Sequence, residues 1–80
     1  MLIVPTQPGK LEAAPTTCPL PFVADFIFTG QQGQVYKASH DPTEFIAAFL
    51  LAAARDEEEM RKNINGAAAW FGGECRWTKL

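Results

Sequence analysis

The chain has 80 residues and a mass of 8.8 kDa, with 48% hydrophobic and 20% charged residues, a formal net charge of -2 and a pI of about 5.2. A chain this short is expected to form a single domain, 1–80, whose small core leaves no room for a deep catalytic cavity, so a non-enzyme is expected. It is too apolar to stay disordered and carries no overall basic field to draw in nucleic acid.

The opening MLIVPTQPGK lacks the basic leader and long apolar run of a signal peptide, which points to a cytoplasmic protein. No membrane crossing is expected, because the longest apolar run, Phe45 to Ala54, falls well short of the roughly 20 residues that a span needs. Five of the six prolines lie in the first 21 residues, and each fixes φ and removes a backbone donor. Residues 1–19 therefore read as a Pro-rich extended arm, with Leu2, Ile3 and Val4 able to form a short edge strand, in front of a globular α+β core over 20–80.

From Leu20 the run PFVADFIFT reads as a strand with Phe22, Ala24, Phe26 and Phe28 on its core face. A three-residue loop, Gln31-Gln32-Gly33, puts glycine at the left-handed position and returns QVYKAS so that Phe28 meets Tyr36 and Phe26 meets Ala38. This makes a central hairpin over about 21–39. Asp41-Pro42-Thr43-Glu44 is a helix-start signal, and Phe45, Ile46, Phe49, Leu50, Ala53, Met60 and Ile64 follow at helical spacing. One long helix over about 42–64 is expected, then a break near Asn65-Gly66, a short helical piece over 67–71, a stop at Gly72-Gly73 and a final edge strand over 74–79. The fold class is α+β: a small antiparallel sheet of three to four strands packed on one long helix.

No catalytic group is expected, since the single histidine, His40, has no nucleophile or carboxylate placed with it by spacing. Metal and cofactor are expected to be absent, because Cys18, His40 and Cys75 come singly where a closed zinc site needs paired ligands. The two cysteines are expected to remain thiols. The informative run is Arg55-Asp56-Glu57-Glu58-Glu59-Met60-Arg61-Lys62. Four consecutive carboxylates on a helix point all round its axis, so this stretch must stand clear of the sheet, by projecting past its edge or by breaking at Asp56, which with Glu59 forms a second cap. The i,i+4 pairs Arg55 with Glu59, Glu57 with Arg61 and Glu58 with Lys62 explain the run as a self-paired solvated face. Its functional alternative is an acidic knob for a protein with a basic surface.

In size, acidity and lack of a catalytic motif the chain resembles phage or mobile-element inhibitors of bacterial nucleic-acid-binding complexes, of the anti-CRISPR type. The likeness carries no residue roles with it. It implies a protein-binding module acting by steric block or by acidic mimicry of nucleic acid; the residues themselves, through the acidic helix segment and a tryptophan on an edge strand, put Asp56, Glu57, Glu58, Glu59, Arg61 and Trp77 on its contact surface. The expected partner is a protein with a basic surface, with no membrane and no direct nucleic acid, and the chain itself is a monomer or small homo-oligomer. Two other classes remain open. One is a structural, self-associating accessory protein of virion type, using Val23, Ile27, Val35 and free strand edges. The other is a single-stranded RNA binder stacking bases on Phe26, Phe28 and Tyr36.

Overall fold

Strand pairing, and not helical periodicity, organises the middle of this chain. The computed structural model describes residues 1–79. In chain order it contains β1 (Leu2–Ile3), β2 (Gly9–Ala13), β3 (Val23–Phe28), β4 (Val35–Tyr36), a 3-10 turn over Pro42–Glu44, β5 (Ala47–Leu51), α1 (Glu57–Glu74) and β6 (Arg76–Thr78). Two three-stranded antiparallel sheets result, one ordered β1-β5-β3 and the other β4-β2-β6. The α+β class holds, as does the terminal edge strand, which forms as β6. Among the described residues no helix is long and apolar enough to cross a membrane.

The one long helix forms, but over Glu57–Glu74, so of the span expected over 42–64 only residues 57–64 are α-helical. Asp41 makes the expected cap, accepting from the Thr43 backbone N–H at 2.9 Å and from the Thr43 hydroxyl at 2.8 Å, and these bonds hold its carboxyl below the ordinary value. The cap serves a single 3-10 turn, which ends at Phe45 in extended geometry (φ -69°, ψ 149°). Residues 47–51 then become the central strand of the first sheet, where both edges of their backbone are paired, by β1 on one side and β3 on the other. A helix here would leave both neighbours without a partner, so long-range pairing overrides the alanine-rich local preference.

The expected hairpin is also replaced. β3 pairs with β5, placing Phe26 opposite Phe49 and Phe28 opposite Ala47, because β5 offers five residues of apolar strand where β4 has two. The turn itself survives: Gly33 has φ +86° and Gln34 N–H donates to Gln31 O at 3.2 Å. It docks on β2, with Leu11 N–H donating to Gln34 O at 2.9 Å, and β4 continues that contact. β2 lies at the centre of the second sheet, so residues 9–13 belong to the core instead of to an arm in front of it. Leu11 is fully buried between the exposed or half-buried Lys10 and Glu12, the alternation of a one-sided strand.

Asp56 starts α1, and the helix then runs without interruption to Glu74. Neither the break near Asn65-Gly66 nor the stop at Gly72-Gly73 occurs, and the piece over 67–71 is part of the same rod. Gly66 has a packing role: a Cβ there would lie 3.3 Å from the Phe22 ring, so the missing side chain lets that ring seat on the helix. Ala67 and Phe71 are the buried helix residues, and Trp70 is half-buried beside them. Phe71 and Trp70 meet Phe26 and Phe49 of the first sheet in tilted and edge-on contacts, with centroids 4.9 to 6.3 Å apart across the four rings. This aromatic cluster fastens α1 to the inner face of the first sheet, each buried phenylalanine contributing roughly 1.5–3 kcal/mol of transfer free energy. Leu11 and Ile46 bring the second sheet and the β5 approach into the same core.

Candidate functional site

The carboxylate run lies at the head of α1. Asp56 holds extended backbone (φ -154°, ψ 176°) and its Oδ1 accepts from Glu59 N–H at 2.8 Å, the second cap expected from the sequence. Arg55, just outside the helix, donates from Nε to Glu59 Oε2 at 2.7 Å. Asp56, Glu57 and Glu58 are exposed and Glu59 is half-buried, so the run stands clear of the sheet because the helix begins there. Three acidic residues in the first turn also complement the positive end of the helix dipole.

Of the three i,i+4 pairs expected, Arg55–Glu59 forms; among the described residues Glu57–Arg61 and Glu58–Lys62 are not within ion-pair distance. Glu57, Glu58, Arg61 and Lys62 are all exposed. Arg55, Asp56, Glu58, Glu59 and Lys62 border a shallow, polar depression of about 210 Å³. With both signs of charge on its rim, it presents an acidic lip beside basic side chains.

Trp77 is not part of that surface. It follows the C-terminal end of α1, an 18-residue helix spanning about 27 Å at ~1.5 Å per residue, and so sits at the other end from Asp56. Its ring stands edge-on to Tyr36 with centroids 6.1 Å apart, over the central strand at Gly9, where a Cβ would lie 3.3 Å from the indole. Tyr36 Oη in turn accepts from Gln31 N–H at 2.7 Å. Trp77 is 39% exposed and forms one wall of an apolar groove of about 310 Å³. Residues 3–8 line it too, together with the buried Ile46, Phe71 and Cys75. Sequence reading missed this groove because its walls come from the two ends of the chain, brought together only by the β2–β6 pairing.

Cys75 is the reactive group in that groove, and its surroundings quiet it. Burial, aided by the negative charge of Glu74, pushes the thiol up to about 11, so near neutral pH it is protonated and a poor nucleophile. Cys18 and Cys75 are both free. Among the described residues no three of His, Cys, Asp and Glu come together as a metal-holding group. What the site offers is surface: an acidic helix head at one end, and an apolar groove walled by a tryptophan at the other.

Comparison with protein-family models, with curated proteins and with solved structures finds no match to this chain.

Proposed function

We propose that the chain is a small, non-enzymatic protein-binding module that engages a basic protein surface through the head of α1. In this reading it acts as a phage or mobile-element inhibitor of a bacterial nucleic-acid-binding complex, occupying a basic groove or blocking access to it. The observation that supports the reading is the division of labour among the four acids. Asp56 and Glu59 are engaged in the cap and the Arg55 pair, while Glu57 and Glu58 reach solvent from the same rigid turn with no basic partner in contact. Carboxylates held on a capped helix lose little freedom on meeting a basic surface, which favours complementarity there. Arg61 lies one turn further on and sets the register of approach, and Trp77 gives a separate anchor at the far end.

The test is capture from a bacterial lysate by the intact chain, alongside a Glu57→Gln/Glu58→Gln variant that leaves the cap and the Arg55–Glu59 pair in place. A stoichiometric complex released by the polyanion heparin and lost in the double variant is expected. Capture that the double variant retains, or no stoichiometric capture, refutes the acidic contact.

A further inference from the structure

The groove beside Trp77 has the size and the fixed borders of a small-ligand pocket. Its volume of about 310 Å³ reaches the lower end of the range for such pockets. It equals the liquid volume of about ten waters, room for a ligand of about ten non-hydrogen atoms. The residues that border it are held in place before any ligand arrives, which lowers the cost of binding. Ile3 O accepts from Ile46 N–H at 2.7 Å and Pro5 O accepts from Ser39 N–H at 2.9 Å, while the pairing of β6 with β2 and the Tyr36 ring fix Trp77.

Two features of the groove select its occupant. Gly72 borders it, and a Cβ there would meet no atom within 4 Å, so this helix position goes without a side chain where packing leaves room for one. The glycine weakens the helix and keeps the groove open. Among the described residues Lys79 is the one charged residue on the border; it is exposed, and none of the described carboxylates lies within ion-pair distance of it. Glu74 is exposed and does not line the groove. An apolar lining with one cation at its rim complements a molecule with an apolar body and a negative end.

We infer that the groove binds a small amphipathic carboxylate free in solution, its apolar chain laid over Ile46, Phe71 and Trp77 and its carboxylate paired with the Lys79 ammonium. Because Lys79 is exposed, the paired carboxylate keeps part of its water and escapes the cost of burying a charge. The groove lies at the opposite end of α1 from the acidic head, so this site stands or falls separately from the contact proposed there.

Amide and indole NMR of the intact chain titrated with sodium octanoate tests this, with octan-1-ol and octylammonium as neutral and cationic probes of similar length. Octanoate should give saturable shifts at the Trp77 indole and the Gly72 amide, none at Glu57 and Glu58, and a dissociation constant of about 1 mM or tighter. It should bind roughly two- to fivefold tighter than octan-1-ol, the worth of an exposed ion pair, with octylammonium weakest. Lys79→Met should erase the preference for octanoate and leave octan-1-ol binding as in the parent. Gly72→Leu should abolish binding of both, while Gly73→Leu, in equally open space but off the groove, should bind as the parent does; unchanged far-UV spectra show that both variants fold. No saturable shift at Trp77, octan-1-ol or octylammonium binding as tightly as octanoate, or binding that survives Gly72→Leu overturns the inference. So does a groove already closed by a second copy, seen as twice the 8.8 kDa mass in light scattering with no octanoate shift at Trp77.

Discussion

Replacing Asp56 by alanine tests the feature on which the position of the acidic surface depends. The side chain supplies one charge-assisted hydrogen bond, 2.8 Å to Glu59 N–H, and a negative charge at the positive end of an 18-residue helix. Loss of an N-cap side chain costs about 0.5–2 kcal/mol and loss of a favourable charge–dipole contact about 0.3–1 kcal/mol, and the two overlap, so a destabilisation of roughly 1–2 kcal/mol is expected. For a domain of this size that lowers the melting temperature by about 5–15 °C. Asp56→Asn keeps an acceptor and gives up only the charge, so it should recover more than half of the loss. Urea unfolding followed by far-UV circular dichroism at low ionic strength reads both variants. An alanine variant within about 0.3 kcal/mol of the parent, or an asparagine variant as unstable as alanine, refutes the claim that this cap sets where the helix begins.

Phe71→Ala removes a nearly fully buried ring that touches Phe26 and Phe49, and should lose about 3–5 kcal/mol. Against a total of roughly 4–12 kcal/mol for 80 residues, the variant should melt at much lower temperature or lose its cooperative transition, which calorimetry reports. Gly9→Ala would set a Cβ 3.1 Å from Thr78 O and 3.3 Å from the Trp77 ring, so a loss of about 1–3 kcal/mol is expected in urea unfolding; an unchanged midpoint would mean that β6 yields freely. The Cys75 thiol titrates at about 11 in the fold against an ordinary 9.0. Its contribution to stability is therefore whole below pH 9 and falls as pH rises through 9 toward 11. Cys75→Ala should flatten that decline relative to the parent, and parallel declines would refute it.

What could be read without coordinates was local chemistry, and what could not was partnership. The Asp41 cap, the left-handed Gly33 and the Asp56–Glu59 cap each depend on a few adjacent residues, and each is present. Residues 45–51 show why periodicity alone misled. Phe45, Ile46 and Phe49 suit a helical stripe, yet Ala47, Phe49 and Leu51 suit alternation equally well, and a short apolar run does not distinguish the two. The decision came from β1 and β3, two segments that need a strand between them and lie up to 48 residues away in the chain, as in the bond from the Met1 ammonium to Phe49 O. Leu11 carried a readable signal, an apolar residue between Lys10 and Glu12, which the surrounding prolines obscured. At the candidate site, the exposure of Asp56, Glu57 and Glu58 was legible because four adjacent charges on a helix have no common buried side. The separation of Trp77 from them was not, because it depends on where the helix starts and stops.

The pairing of Leu11 with Trp77 spans almost the whole chain. During synthesis the first sheet has all three of its strands once residue 51 is free of the ribosome, but the second waits for residues 76–78. Phe26 and Phe49 lack the Phe71 side of their cluster until α1 is made, and the groove wall carrying Trp77 does not exist until β6 follows it. Closure of the aromatic interior is thus delayed until well after the strands of the first sheet are made, and over that interval the nascent chain carries an unsealed aromatic face.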